Sequence, residues 1–531
     1  MDIIAELKTE VNQMSIDTDD DRMDIFSRLS SWSLTKLEAS LLPQEGTFCQ
    51  KTAHYAFQFF QFLLMLPLAI FTSTLSFALS PFLAKKEDKP LTAFAKHPEW
   101  NQEMTRAAPV EIGFSTADFQ ENGPEIHPDT NWGQFYAQNA QKFGPLGQMP
   151  DLWNHPEHII ASLNELGCRK FRFSISRDKI EPRQGQPIDQ VVLQRYRDFC
   201  RQLRENGIEP MVTLHHFSDP TYFSWERAQD IDGFVQYAQT VTEALYEEGV
   251  RKIITLNEPT VLFFQGWIAG EFPPHGKLNF QAATQVIQNM MTAHARVYHA
   301  LKERHPDLEI GLAHNPIRFR HFHKAHPLFS PIERILCHYL TELNHSAFFR
   351  FLQTGTFSLK IPFKANCTFT QEKPPLDFIG LQYYTDPLIK LSLTKGESVT
   401  RVPDEKCSAY GYRPYPQGLA SALEEFSALK IPIEITETGI DVGINKDDGD
   451  SERIRHFDRL FQSVQRALNQ GIPVRSFYFW TLRDNLEWYK AWDLRFGFFN
   501  FNPNTGQSTA RPACEWLRER IAAYQTQRAG A

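Results

Sequence analysis

The stretch Lys252-Ile253-Ile254-Thr255-Leu256-Asn257-Glu258-Pro259 is a short β-branched run that stops at two polar residues and a proline. Such a run reads as a buried parallel strand, with Pro259 ending the ladder and Glu258 left at its C-terminal end. Ile433-Glu434-Ile435-Thr436-Glu437-Thr438-Gly439 repeats the pattern. Outward from these two, β-branched or aromatic runs recur near Glu111-Ser115, Lys170-Ser174, Pro210-Leu214, Glu309-Ala313, Asp377-Gln382 and Val474-Trp480. Helical periodicity lies between or after them, at Pro156-Leu166, Val191-Glu205, Phe234-Glu248, Gln281-Glu303, Gly418-Leu429, Glu452-Asn469 and Pro512-Tyr524. Strand and helix in alternation predict a parallel sheet, and eight such repeats closing on themselves make an α/β fold of the (β/α)8 TIM barrel type.

The chain has 531 residues, more than the roughly 250 that one barrel needs. It divides into a polar, partly helical or disordered region (1-54), a hydrophobic segment (55-84), a linker (85-106), the barrel domain (107-525) and a tail (526-531). The first region carries the acidic cluster Asp17, Asp19, Asp20 and Asp21. Tyr55 to Ala84 holds no charged residue and has the length of a membrane span, although Pro67 would kink a single helix. It starts too late for a cleavable signal peptide. Membrane insertion or attachment is the expectation there; the blander reading is an apolar helix packed on the barrel domain. Lys85, Lys86, Lys89 and Lys96 follow the segment, against Lys36 and Lys51 before it, and the positive-inside rule then places the large domain in the cytoplasm.

The cysteines Cys49, Cys168, Cys200, Cys337, Cys367, Cys407 and Cys514 are odd in number, scattered, and lack Cys-x-x-Cys spacing. They read as free thiols of a reducing compartment, with no zinc site among them. A net charge of −8 with both signs interspersed argues against a polyanion, so nucleic acid is not an expected partner. Oligomeric state is not readable.

Barrel enzymes gather their chemistry at the C-terminal ends of the strands. Here those ends are dense in polar and aromatic residues: Gln120 after the first strand, Arg172 on the second, His216 after the third, and Asn257 and Glu258 on the fourth. Gln382 and Tyr384 stand at the sixth, Glu437 on the seventh, and Trp480, Glu487 and Trp488 at and beyond the eighth. Two glutamates meeting at one rim are what retaining cleavage of a glycosidic bond needs, with carboxyl groups about 5 Å apart, one as nucleophile and one as acid and then base. Taken singly, a tryptophan is more often core and a lone histidine more often a satisfied structural group.

From about residue 108 to 515 the sequence resembles the family 1 glycoside hydrolases, the β-glucosidases and their relatives. The resemblance is carried in order by Gly113 to Gln120, Phe171 to Ser176, Thr213 to Phe217, Thr255 to Pro259, Asp377 to Thr385, Ile435 to Gly439, and Trp480 to Trp488 followed by Arg495-Phe496-Gly497. It implies Glu437 as nucleophile and Glu258 as acid/base, with Arg172 and Tyr384 positioning Glu437 and keeping it ionised. It further implies that Gln120, His216, Asn257, Gln382, Trp480, Glu487 and Trp488 bind the sugar of a small β-glycoside or oligosaccharide. No cofactor or metal is expected.

Arg177, Ser218, Gln382 and Thr438 depart from the family pattern, and an altered sugar preference or acceptor would follow. Glu434 should face the other side of its strand from Glu437 under period-two alternation and be structural. The basic stretch Arg318 to His326 reads as a solvated loop after the fifth strand. The Glu487-Trp488 pair argues against a 6-phospho-β-glycosidase, because an acidic residue beside the sugar 6-position would repel phosphate. The same residues would also suit a membrane-associated glycolipid hydrolase or transglycosylase, with Tyr55 to Ala84 as its anchor, or a non-catalytic sugar-binding barrel.

Overall fold

Eight parallel strands close into a barrel in the order β1-β8-β7-β6-β5-β4-β3-β2. They are β1 (Glu111–Ser115), β2 (Lys170–Ser174), β3 (Glu209–Thr213), β4 (Lys252–Asn257), β5 (Glu309–His314), β6 (Phe378–Tyr383), β7 (Ile433–Thr438) and β8 (Val474–Trp480). The principal helices around it are α1 (Pro156–Leu166), α2 (Gln190–Glu205), α3 (Asp230–Glu247), α4 (Phe280–Arg304), α5 (Phe329–Thr341), α6 (Pro416–Ser427), α7 (Gly449–Asn469) and α8 (Pro512–Ala529). This computed structural model describes residues 107–323, 329–361, 365–391, 399–401, 414–443 and 449–529. The segment Tyr55 to Ala84, with the rest of residues 1–106, lies outside the described residues. Among the described residues no helix is long and apolar enough to cross a membrane.

The alternation within β2 explains how such a barrel is filled. Phe171 and Phe173 point outward onto Phe199 of α2, at ring distances of 6.2 and 5.0 Å. The intervening Lys170 and Arg172 therefore point into the lumen, where they must find charged partners. At the N-terminal end of the barrel they do so as a floor: Lys170 pairs with Glu209 at 2.6 Å and Glu111 at 3.2 Å, while Lys252 pairs with Glu434 at 2.6 Å and Glu209 at 3.6 Å. Above it Met211, Ile254, Ala313, Phe378 and Tyr478 form a separate apolar layer. The mouth above that layer is polar.

Strict alternation would set Glu434 and Glu437 on opposite faces of β7, and the sheet does otherwise. Glu434 stands beside Gly380, and Glu437 beside Gln382, with Thr436 left over as a bulge. Gly380 and Gln382 are two residues apart and share a face, so both glutamates enter the lumen at different heights. Glu434 reaches Lys252 across the barrel and accepts a hydrogen bond from Ser476. Its role is structural, as expected, but through the interior. β4 is bulged in the same way, since Ile254 pairs with Gly311 and Asn257 with Ala313.

The link from β5 to β6 holds more than the sequence discloses. α5 runs on through a π turn (Glu342–Ser346) into a further helix (Ala347–Thr354), followed by a hairpin of Thr356–Ile361 and Ala365–Thr370. The described part of the basic stretch is not a solvated loop. Arg320 and His321 form a short strand beside Leu388–Leu391, and fully buried Asp386 holds Arg320 at 2.8 Å and Arg318 at 3.6 Å. His323 pairs with Glu333 at 2.6 Å, and residues 324–328 lie outside the described residues.

Glu434 is fully buried, so removing its cation leaves an uncompensated charge. Lys252→Met should lower stability by about 3 kcal/mol in urea unfolding, and Lys252→Met with Glu434→Leu should restore most of the loss. A single variant within about 1 kcal/mol of the parent would show that the floor does not need this pair.

Candidate active site

Arg172 rises from β2 into the mouth and meets three other strands. Its Nε donates to Thr213 Oγ1 on β3 at 3.0 Å and its Nη2 to Asn257 Oδ1 on β4 at 2.6 Å. Its Nη1 donates to Glu437 Oε1 on β7. Gln382 Nε2 on β6 donates to both Asn257 Oδ1 and Glu437 Oε1, each at 2.8 Å, and the Tyr384 hydroxyl donates to Glu437 Oε2 at 2.9 Å. The Glu437 carboxylate thus takes hydrogen bonds on both oxygens from one cation and two neutral donors.

Glu258 is placed by its backbone. It follows β4 in a left-handed conformation, φ 42° and ψ 63°, and its N–H donates to the Ala313 carbonyl of β5 at 3.0 Å. Pro259 then opens a short helix, where a missing N–H costs nothing. Asn315 lines the cavity beside Glu258 and favours its carboxylate, but Glu258 Oε1 is buried without a partner among the described residues.

These surroundings separate the two acids. Burial, and then the charge of Glu437, pushes the Glu258 carboxyl well above the ordinary range against the pull of Asn315 and Arg172. Burial also pushes Glu437 up, opposed by the Arg172 charge and hydrogen bond and by Tyr384. Arg172 and Tyr384 therefore offset burial at Glu437 without overcoming it, which is less than the sequence implied. The larger rise belongs to Glu258, so a single proton shared by the pair rests there.

Both carboxyls line one cavity of about 130 Å³ at the barrel mouth, together with His216, Tyr384, Trp480, Glu487 and Trp488. Arg172, Asn257 and Gln382 lie directly beneath, and Gln120 joins through its Nε2, which donates to Glu487 Oε2 at 2.9 Å. The eleven residues given catalytic or sugar-binding roles from the sequence thus meet at one place. Burial pushes the Glu487 carboxyl up to about 8, and burial with the Arg172 charge holds His216 well below its ordinary value, hence neutral. Trp488 also packs into an aromatic cluster, stacked on Phe119 at 6.0 Å and tilted against Trp132 at 4.9 Å.

Buried atoms left without partners among the described residues include Gln120 Oε1, His216 Nδ1, Asn257 Nδ2, Glu258 Oε1 and Gln382 Oε1. Buried polar atoms ordinarily find a partner in protein, ordered water or ligand. Asn315, Lys490 and Tyr489 also line the cavity and were not found from sequence. Asn315 directly follows β5, so the rule that located the others, a polar residue just past a strand end, would have found it. Of the departures from the family pattern only Gln382 touches the carboxyls. Arg177 is buried over Phe223, 4.7 Å from the ring centroid, and paired with Glu181 at 2.8 Å.

A larger cavity of about 1130 Å³ lies away from both carboxyls, between the segments after β1 and the hairpin of Phe499–Asn502 and Gln507–Ala510. At its edge the exposed side chains of His155, Glu157 and His158 bring metal-ligating atoms within 4.8 Å of one another.

Comparison with known proteins agrees with this geometry. The profile of glycosyl hydrolase family 1 matches residues 127–526. β-Glucosidase A of Thermotoga maritima is 27% identical over 436 residues, covering 76% of this chain and 95% of that protein. A 6-phospho-β-galactosidase of Clostridium acetobutylicum is 25% identical over 462 residues, covering 77% and 95%. The solved structure of the Thermotoga maritima β-glucosidase with deoxynojirimycin superposes with a TM-score of 0.66 at 22% identity, over 79% of this chain and 99% of the other. A β-glycosidase from Pyrococcus horikoshii gives 0.65 at 24%, over 78% and 94%. The structural likenesses carry the fold, and the family match spans most of the barrel domain: the chain belongs to glycosyl hydrolase family 1 and is a glycosidase.

Proposed function

We propose that this glycosidase is a retaining β-glycosidase of the β-glucosidase kind, releasing a terminal β-linked sugar through a covalent glycosyl-enzyme. The observation that carries this reading is the unequal environment of the two carboxyls in one cavity. Glu437, held on both oxygens, is oriented to attack the anomeric carbon. Glu258, the more protonated of the two, gives its proton to the bridging oxygen as the bond from that oxygen to the anomeric carbon breaks. In the second stage a water loses a proton to Glu258 and attacks the anomeric carbon, and Glu437 departs as carboxylate.

The unpartnered atoms suit a polyol. Asn257 Nδ2 would donate to the 2-hydroxyl, where hydrogen bonding strengthens as oxocarbenium character develops. Gln120, His216 and Glu487 would take further hydroxyls over the face of Trp480. Gln382 holds Asn257 and Glu437 to one another and so positions more than it binds.

A second reading, a 6-phospho-β-glycosidase, is supported by Lys490 in the cavity wall and by the likeness to the Clostridium acetobutylicum enzyme. Charge repulsion from Glu487 does not exclude it at neutral pH, since a carboxyl pushed up to about 8 still holds its proton. The Gln120–Glu487 pair, which offers adjacent acceptor and donor atoms to neutral hydroxyls, supports the unphosphorylated sugar.

Nitrophenyl β-glycosides, each with its 6-phosphorylated twin, test the choice. The unphosphorylated series should be hydrolysed and the phosphorylated one not. Glu437→Gln should lose roughly 10⁴-fold or more in kcat. Glu258→Gln should lose about 10²- to 10⁴-fold on poor leaving groups while sparing the first step for good ones. Equal losses in both variants on every substrate would contradict the division of roles.

Glu487 makes stability depend on pH with a definite sign. Its folded value near 8 exceeds the ordinary 4.5, so the folded state binds the extra proton between these values and stability falls as pH rises through them. Glu487→Gln should be progressively more stable than the parent from pH 5 to 9 in thermal unfolding, and a pH-independent difference would refute the assignment.

A further inference from the structure

Behind β5, on the outer face of the barrel, a buried chain of polar side chains leads from the surface to both neighbours of Glu258. Glu425 of α6 accepts from His345 Nε2 at 2.9 Å, and His345 Nδ1 lies 2.9 Å from His314 Nε2. His314 Nδ1 in turn faces the Thr260 hydroxyl at 3.4 Å. Thr260 stands two residues after Glu258, and Asn315, which lines the same cavity as Glu258 and favours its carboxylate, directly follows His314.

The carboxylate fixes the direction of the whole chain. An ionised Glu425 can only accept, so His345 Nε2 donates to it, and a neutral His345 then presents a bare Nδ1. That atom takes the Nε2–H of His314, whose own bare Nδ1 takes the Thr260 hydroxyl. Arg318 holds the other Glu425 oxygen at 3.3 Å and anchors to the Gly418 carbonyl at 2.6 Å. Both imidazoles are essentially unexposed and lie flat against Phe426, at 5.9 and 6.3 Å. Burial holds His314 well below its ordinary value, which keeps it neutral. His345 sits in the π turn that interrupts the α5 helix, a local distortion often found where a side chain must be aimed.

Two imidazoles in an apolar pocket carry a desolvation cost that leucines would not. What they add is direction at the acid/base. We propose that Glu425, His345 and His314 are positioning residues that hold Thr260 and Asn315, and through them Glu258, in the geometry for proton transfer. The proposal rests on the acid/base role given to Glu258 above. The charged and titratable groups facing Glu258 from the other elements are Glu437, Arg172, Tyr384 and Glu487, and none belongs to the chain.

The test is the leaving-group dependence of kcat/KM, measured with phenyl and dinitrophenyl β-glycosides on the parent, Glu425→Ala, Glu425→Gln and Glu258→Gln. Glu425→Ala should lose about tenfold on the phenyl glycoside, the scale of a misplaced catalytic group, and nothing on the dinitrophenyl glycoside, which needs no acid to leave. The basic limb of its pH profile should move to higher pH, because a loosened Asn315 no longer favours the Glu258 carboxylate. Glu425→Gln, which keeps an acceptor, should show the same pattern more weakly and decides the matter if Glu425→Ala does not fold. Equal losses on both substrates, or none on either, would overturn the positioning role. If Glu258→Gln itself lacks leaving-group dependence, the acid/base reading fails instead.

Discussion

A guanidinium buried in a barrel lumen has to be surrounded by acceptors, and Arg172 imposes that condition on this molecule. It cannot shed its charge, it carries five donors in one plane, and removal from water is tolerable only if those donors are met. Thr213, Asn257 and Glu437 take three of them from three different strands, and the Thr436 carbonyl takes a fourth. None of the three is next to another in sequence, so the requirement is satisfied only when the sheet has closed with the right shear. The same bonds orient the groups assigned to catalysis, which makes correct closure and a correctly formed site a single event.

The two bulges adapt a regular barrel to that task. An unbroken β7 would bring only one of Glu434 and Glu437 into the lumen; the surplus Thr436 admits both, one into the ionic floor and one into the mouth. The one surplus position in β4 does the same for Asn257, which shares the inner face with Ile254 although three positions separate them. Between floor and mouth, the apolar layer of Met211, Ile254, Ala313, Phe378 and Tyr478 keeps two sets of charges apart. Each bulge falls where the strand passes from one layer to the next.

The barrel strands were legible because each is a short buried run, and the site because polar residues cluster just beyond those runs. The bulges were not legible, since a period-two pattern carries no mark of where one residue is skipped. The reading of Glu434 therefore had its role right and its face wrong. The link from β5 to β6 was missed because one barrel unit there holds a long interrupted helix and a hairpin in place of a single helix. Arg318 and Arg320 looked solvated because their common partner, Asp386, lies far along the chain. The heights of the carboxyl pKa values were likewise hidden, as they come from burial, a property of the assembled mouth.

The backbone of Glu258 carries a further implication. An L-residue with a branched-off side chain in the left-handed region is disfavoured by roughly 1 kcal/mol or more relative to glycine, and asparagine is more at ease there than glutamate. The buried carboxyl adds its own desolvation. Glutamate at this position is thus the poorer choice for folding, and the acid/base role proposed for it would account for a side chain kept there against stability. If that role holds, a lineage in which hydrolysis ceased to matter would let this residue drift early, and the barrel that lost it would become sturdier as it fell silent.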